Sequence, residues 1–389
     1  MSEGTGQFPG AIPSVSVVWL FIFLAALFWA LFIYPYAIYP LILRLFSCPP
    51  VKPGTSKCRV SLLFCAYNEI VALPDKIANL RQLKAAQPEL EIWVYDDSST
   101  DGTSALLAQN ADLLTVVPGA GRTGKAAGMK RLAAAASGDI LVFTDANVLL
   151  ASDAIDRLLP YYADPEVGGV CGTLHYITDA SSSTSEVGSA YWRFDEKLRS
   201  LESATGDVMG ADGSIFSVRK ALYPSFPDTV LDDFTVSMSV IFAGKRLIKA
   251  SDVLAYENSV SQRHEELNRK VRIGARAYHT HAFLRGQLRQ MSARNRFKYI
   301  SHKLLRWFGG LTIGLGTLFT LLAVAAVSLT AGAIALAGVA IASFAAYRAS
   351  SGKLAKLGEA VIATFATQLG ILQGMRGRTV ATWSPAKSR

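Results

Sequence analysis

The residues best equipped for chemistry stand where apolar runs stop. Val94 to Thr103 reads VYDDSSTDGT, so an apolar run closes on two adjacent carboxylates, Asp96 and Asp97, and small or acidic turn formers follow. Asp, Ser and Gly suffice for a turn, because their side chains cap backbone groups and glycine accepts positive φ. Two carboxylates at the carboxyl end of a strand go beyond that need, and this end is where open α/β sheets bind ligands. Three more polar stretches follow apolar runs in the same way: CAYNE (Cys65 to Glu69), GAGRTGK (Gly119 to Lys125) and TDAN (Thr144 to Asn147). The glycine loop places backbone N–H groups and Lys125 where a phosphate can bind. TDAN, taken alone, reads as a helix N-cap after a buried strand.

The elements that would position these loops are short. Strand-like runs at Val60 to Cys65, Glu91 to Tyr95, Leu113 to Val117, Ile140 to Thr144 and Val167 to Leu174 alternate with helical patterns at Leu73 to Ala86, Ser104 to Ala111 and Lys125 to Ala136. Such alternation predicts an α/β domain with a mostly parallel sheet and helices on both faces. The four polar loops then converge on one sheet edge. The serine cluster Ser181 to Ser185 reads as a loop.

Apolar residues make up 51% of the chain, and they serve two different solvents. No charge occurs from Gly4 to Leu43, and Val15 to Leu43 exceeds the ~18 apolar residues that suggest a membrane span. The preceding MSEGTGQ lacks the basic region of a secretory signal. Trp307 to Tyr347 is also free of charge and long enough for two spans of ~20 residues, with a hairpin at Ser328 to Gly332. Basic residues flank these spans on the side of the central domain: Arg44, Lys52, Lys57 and Arg59 after the first, Arg294 to Arg306 before the second. The positive-inside rule therefore makes the domain and the tail cytoplasmic. The expected organisation is a membrane helix in 1–46, the α/β domain in 47–288, an interfacial amphipathic helix in 289–307, two membrane helices in 308–347 and a cytoplasmic tail in 348–389. Within the tail, Ala360 to Met375 is short for a span and reads as interfacial or re-entrant.

The net charge of +9 concentrates beside the spans, which points to anionic headgroups rather than nucleic acid. Cys48, Cys58, Cys65 and Cys171 lack metal-ligand spacing and suit a reducing compartment. His279 and His281 have no carboxylate or cysteine near them in sequence to complete a metal site.

Gly119 to Gly124 satisfies G-x-G-x-x-G, and Gly119 to Lys125 satisfies most of a P-loop. The first fingerprint normally opens the first strand-helix unit, whereas this one follows the third strand. The P-loop hydroxyl is missing, because Ala126 follows the lysine. A dinucleotide-dependent oxidoreductase would need an acidic ribose ligand ~20 residues downstream. Asp139 and Asp145 keep that alternative open.

Taken in order, AYNE, YDDSSTDGT, GRTGKAAGMKRL, FTDAN, GADGSIFSVRK (Gly210 to Lys220), DDF (Asp232 to Phe234), NRKVRIGAR (Asn268 to Arg276) and SHKLLRW (Ser301 to Trp307) resemble the family 2 glycosyltransferases, the cellulose synthase-like group with a GT-A fold. The resemblance covers roughly Val60 to Trp307. It implies that Ala66, Tyr67 and Glu69 line a nucleotide pocket, and that Asp97, together with Asp96, accepts hydrogen bonds from uracil. Which of the two reads the base and which organises the loop with Asp101 stays open. Lys125 would contact the diphosphate. Asp145 and Asn147 occupy the D-x-D pattern that holds ribose and a divalent cation, Mg or Mn; here Asn keeps a hard oxygen but removes a charge. Asp233 would be the base that takes the acceptor proton in an inverting transfer, with Asp232 beside it. A helix-start carboxylate is the plainer reading of that pair. Arg269, Lys270 and Arg272 would close over the diphosphate, although a membrane-facing basic helix would carry the same residues. Gly210, Ala211, Asp212 and Gly213 would form the acceptor-side loop.

The expected activity is transfer of a sugar from a nucleotide-sugar, UDP-linked, to a lipid-linked or polysaccharide acceptor in cell-surface or exopolysaccharide synthesis, at the cytoplasmic face of a bacterial inner membrane. The expected partners are the donor, the acceptor, membrane lipids and further membrane proteins. Processive relatives carry Q-x-x-R-W, whose tryptophan can stack on the growing sugar. At the comparable place this chain has Gln262-Arg-His-Glu-Glu, with no tryptophan before Trp307. Addition of one sugar or few is therefore expected, with a processive synthase as the alternative.

Overall fold

The computed structural model describes residues 15–177, 183–258, 262–349, 351–379 and 382. Part of the serine cluster and the basic residues Lys387 and Arg389 lie outside the described residues. In chain order the elements are α1 (Val15–Leu43), β1 (Val60–Ala66), α2 (Leu73–Ala86), β2 (Glu91–Asp96), α3 (Thr103–Ala108), β3 (Thr115–Pro118), α4 (Lys125–Ala135), β4 (Ile140–Thr144), β5 (Leu149–Leu150), α5 (Ala154–Leu158), β6 (Val167–Ile177), α6 (Ser183–Ala204), β7 (Ile215–Arg219), α7 (Asp232–Phe242), β8 (Arg246–Asn258), α8 (Arg263–Gln290), α9 (Ala293–Tyr299), α10 (Leu305–Trp307), α11 (Gly309–Val327), α12 (Leu329–Arg348) and α13 (Gly352–Met375).

The strands form one eight-stranded sheet in the order β3-β2-β1-β4-β7-β6-β8-β5. β3, β2, β1 and β4 run parallel, as do β6 and β8, whereas β7 lies antiparallel between β4 and β6. This is the expected mostly parallel α/β sheet of the GT-A type. Its central strands β1 and β4 are buried at every position because both faces are covered. Leu62 and Phe64 pack on one side with Ile92, Val94 and Val142, while Leu63 and Cys65 pack on the other with Tyr95, Leu141 and Phe143.

Register explains why the polar loops meet. Ala66 pairs with Asp96, and Asp96 pairs with Pro118, so β1, β2 and β3 end at one level. Leu63 pairs with Phe143, which brings the end of β4 to the same edge. Gly119 sits where a Cβ would lie 2.8 Å from the Asp96 carbonyl and 2.9 Å from the Tyr95 hydroxyl, so only glycine lets this loop pass so close.

Among the described residues three helices are long and apolar enough to cross a membrane: Val15–Leu43, Gly309–Val327 and Leu329–Arg348. α1 packs along α11, with Phe28 stacked on Phe319 at 5.7 Å and the Trp29 indole donating to Thr320 at 3.2 Å. Ser328 separates α11 from α12 and caps the latter through Ala331 N–H.

Residues 289–307 differ from the expected surface-lying amphipathic helix. They break at Met291 and Ser292, continue as α9 and pass through a π-helical turn at Ile300–Leu304. Lys298, His302 and Arg306 are buried rather than turned to headgroups, whereas Ile300 is exposed. Buried acids explain the inversion: Arg306 reaches Asp195 at 2.6 Å, and His302 lies between Asp195 and Glu202. Ala360 to Met375 belongs to one continuous helix, α13, that packs on α8 through glycines. A Cβ on Gly274 would lie 2.6 Å from the Thr367 carbonyl, and one on Gly374 equally close to the Ala275 carbonyl.

Candidate active site

Gly213 marks the centre of the site. A Cβ there would lie 2.8 Å from Lys125 Nζ, 3.4 Å from Asp145 Oδ2 and 3.5 Å from Asp233 Oδ2. One glycine thus stands among side chains from the start of α4, the loop after β4 and the first turn of α7. Gly210, three residues earlier, has φ +87° and would meet the Phe234 ring with any side chain. Both glycines keep the loop Gly210 to Gly213 thin.

Lys125 bridges the acids. Its ammonium lies 2.6 Å from Asp145 and 3.9 Å from Asp232. Burial alone would lower its pKa, but Asp145, Asp232 and Asp233 outweigh that and hold it above the usual lysine value. Asp232 and Asp233 do stand in the first turn of α7, as the helix-start reading has it. Burial, and then the neighbouring Asp232, push Asp233 up to about 6, against the pull of Lys125. A carboxylate with that pKa is poised to exchange protons near neutral pH.

Of the two aspartates of the opening motif, Asp96 takes the loop-organising part that the sequence left open between them. Asp96 accepts from Ser99 N–H and hydroxyl and from the Ser104 hydroxyl, and so shapes its own loop. Asp101 does the same with Ile70 and Thr103 N–H groups. Asp97 is fully buried and accepts from Thr123 N–H at 2.7 Å and Gly124 N–H at 3.0 Å, with Arg122 at 3.3 Å. The glycine loop thus supplies the backbone donors that Asp97 accepts from in this structure. Arg122 also covers the Tyr67 ring, 3.1 Å from its centroid. Ala66 is buried with its carbonyl on Asp97 N–H, and buried Glu69 accepts from Ala72 and Leu73 N–H.

Asp145 and Asn147 emerge together from β4. The Asn147 amide donates to Glu257 at 2.8 Å, which leaves its oxygen as the group available to a cation. Among the described residues no three His, Cys, Asp or Glu side chains gather as a metal cage. One carboxylate and one amide oxygen fit a hard divalent ion that takes its remaining ligands from water and phosphate. His279 and His281 are engaged elsewhere, with Thr229 and Tyr299.

The remaining candidates are held by partners of their own. Asp212 accepts from Arg199, which also holds Asp195 at 2.8 Å, and the Ala211 N–H donates to Ser237. Arg269 and Lys270 both pair with Glu266, at 3.3 and 3.1 Å. Arg269 is also held charged by Tyr176 and Glu257, after the cost of burial, so it approaches the partner of Asn147. Arg272 lies one turn further along α8.

Several residues were missed from sequence. Glu257 lies on β8, whose apolar runs are interrupted by Lys249 and Asp252 and gave no clean alternation. Lys76 is fully buried and donates to the Val148 carbonyl at 2.5 Å, bracing the segment that carries Asp145; its position on an ordinary amphipathic helix gave no signal. Trp307 meets Phe234 edge-on at 6.4 Å and belongs to a cluster with Tyr299 and His281. Lys303-Leu-Leu-Arg306-Trp307 keeps the Arg-Trp ending of the Q-x-x-R-W pattern, so the comparison at Gln262 was made too early in the chain. A tryptophan does stand at the end of such a pattern, so limited addition does not follow from its absence.

Residues 61–224, somewhat less than half of the chain, match the family described as Glycosyl transferase family 2. The beta-monoglucosyldiacylglycerol synthase of Synechocystis sp. is 31% identical over 133 residues, covering 32% of this chain and 28% of that protein. An N-acetylglucosaminyltransferase of Rhizobium leguminosarum bv. viciae is 26% identical over 175 residues, covering 42% and 39%. The chain thus spans well under half the length of these curated relatives. The mannosyltransferase PcManGT from Pyrobaculum calidifontis, solved in complex with GDP-Man and Mn2+, superposes with a TM-score of 0.71 at 24% identity over 92% of this chain and 99% of that one, which shows a shared fold. Residues 61–224 thus match a family 2 glycosyltransferase domain, the sheet is GT-A-like, and these matches support a glycosyltransferase. They also replace the oxidoreductase alternative.

Proposed function

We propose that this protein is a membrane-anchored, inverting glycosyltransferase that uses a UDP-sugar and a lipid-linked or saccharide acceptor at the cytoplasmic face of the membrane. The observation that carries the reading is the convergence of Lys125, Asp145 and Asp233 around Gly213. A cation, a hard oxygen ligand and a carboxylate with raised pKa are what displacement of a diphosphate by a hydroxyl requires.

In the reaction, Lys125 shifts its charge from the acids to the diphosphate and stabilises it as it leaves. Asp233 Oδ2 takes the proton of the acceptor hydroxyl while the hydroxyl oxygen bonds to the anomeric carbon and the bond to the diphosphate breaks. Attack from the side opposite the leaving group inverts the centre. The thin loop Gly210 to Gly213 lets the acceptor sugar or alcohol reach Asp233. Asp145 and the Asn147 oxygen would hold Mg or Mn, which supplies further charge neutralisation to the diphosphate when bound. Arg269, Lys270 and Arg272 close the basic side of the pocket. The name of the Synechocystis relative supports a lipid acceptor.

Three candidate spans offer few helices for a polymer channel. Addition of one sugar or few follows, and the length of products made with excess donor tests it. Thermal stabilisation of the purified protein by UDP with Mn2+, but not by NAD, tests the donor class. Stabilisation by NAD alone would contradict it.

A further inference from the structure

A cavity of about 960 Å³ opens between α1, α6, α8, α13 and the turn before α10, and of the residues given a part in the reaction just proposed Lys270 alone lines it. Its volume lies at the upper end of ordinary ligand sites, ~300–1,000 Å³. One wall is apolar: Phe32 and Ile33 of α1 face Ala360 and Ala363 of α13. α1 has 29 residues and is about 43 Å long at 1.5 Å per residue, against a hydrocarbon layer of ~30 Å. About twenty residues from Val15, the helix leaves that layer, close to Pro35. Phe32, Ile33 and Tyr36 therefore place the cavity mouth where acyl chains meet headgroups.

The opposite wall is charged, and its sign is positive. Six cationic side chains line the cavity against three carboxylates, Asp195, Glu266 and Glu359. Each carboxylate already has a basic partner: Arg199 and Arg306 hold Asp195, Lys270 holds Glu266, and Arg263 holds Glu359. Lys303 also lines the cavity and makes no ion pair among the described residues; its ammonium rests 5.8 Å from the centre of the Phe234 ring. Burial, with Arg199 nearby, pushes it down to about 8, so it gains from any anion that reaches it. The cavity also borders the reaction centre, because Lys303 and Trp307 both touch Phe234, the residue after Asp233.

Resting on the glycosyltransferase reading, we infer that this cavity admits the acceptor laterally from the membrane and that the acceptor is a lipid with an anionic, phosphate-class headgroup, met by Lys303. A neutral lipid alcohol would leave Lys303 without a counter-charge in a site with one greasy wall. The acyl chains lie against Phe32, Ile33 and α13, and the headgroup places its hydroxyl toward Asp233.

The test uses the full chain in nanodiscs of phosphatidylcholine, with phosphatidylglycerol or diacylglycerol added as probe lipid and inorganic phosphate as the soluble competitor. Lipid retention is read by native mass spectrometry, and UDP binding is measured on the same samples. Wild type should retain phosphatidylglycerol at least tenfold over diacylglycerol. Lys303→Met should abolish the preference and Lys303→Arg should restore it, both with unchanged UDP affinity. Equal retention of the two lipids, or an unaltered preference in Lys303→Met, overturns the inference. Displacement of the lipid by millimolar phosphate overturns the lipid source in favour of a soluble anion. Donor turnover is scored separately: UDP-sugar cleavage without lipid preference sinks only this inference, whereas lipid preference without cleavage of any donor sinks the glycosyltransferase reading.

Discussion

Lys125 Nζ lies 2.6 Å from Asp145 Oδ1, joining the start of α4 to the loop after β4. The lysine neutralises the acidic cluster, and on the proposed reading a diphosphate competes for it. Lys125→Met should weaken UDP by ten- to hundredfold, the worth of about 1.5–3 kcal/mol for a hydrogen bond to a charged group. Uridine, which lacks the phosphates, should bind the variant and wild type alike. Equal loss of both ligands in a calorimetric titration would mean that Lys125 supports the fold rather than the phosphate.

Asp233→Asn should lower turnover by about 10²–10⁴-fold while leaving UDP affinity within about 1 kcal/mol. The wild-type rate should rise with pH through a limb near 6, because only the deprotonated carboxylate accepts the proton. Stability moves the other way. Since the folded pKa lies above the unfolded value of 3.8, the native state binds more protons between about 4 and 6, and stability falls as pH rises through that window. Asp233→Asn should therefore melt higher than wild type at pH 7 and match it near pH 3.5. A lower melting point for the variant at pH 7 would contradict the assigned environment.

Much of this was legible in the residues. β4 and α2 fall at the positions their patterns indicate, Ile140 to Thr144 and Leu73 to Ala86, because unbroken apolar runs and a proline-started amphipathic helix are strong local signals. β8 was not, since Lys249 and Asp252 break its alternation and its pairing with β6 carries register shifts. The site was legible as a set of loops, but not as a network. That Asp97 holds the glycine loop rather than facing outward depends on Thr123 and Gly124 N–H groups from 26 and 27 residues away. The basic residues of 289–307 suggested headgroups because sequence does not reveal that Asp195 and Glu202 of α6 wait beneath them.

Asn147 and Glu257 make the metal prediction specific. Asn147→Asp removes the amide that donates to Glu257 and sets two carboxylates together, so it should impair Mn2+-dependent UDP binding when made alone. Combined with Glu257→Gln, which restores a donor, it should bind Mn2+ at least as well as wild type, because charge has been added to an oxygen ligand. Additive effects in the double variant would show that the two residues do not share a site.

Gly370 stands where a Cβ would collide with the Val271 carbonyl, at the contact of α13 with α8. Gly370→Leu should lower the thermal midpoint in detergent by several degrees and loosen the basic stretch on α8. Gly338 has open space around it, so Gly338→Leu should leave the midpoint unchanged. Equal midpoints for the two variants would mean that α13 does not dock as described.

The central claim is that the convergence at Gly213 transfers sugars. Its most direct test incubates purified protein with Mn2+, a panel of UDP-sugars and membrane lipids, and follows products by mass spectrometry beside the Asp233→Asn variant. The account predicts a lipid or saccharide product heavier by one sugar or a few, formed with release of UDP by wild type and not by the variant. Product formed equally by both proteins, or no product and no UDP release above the variant with any donor, would contradict it.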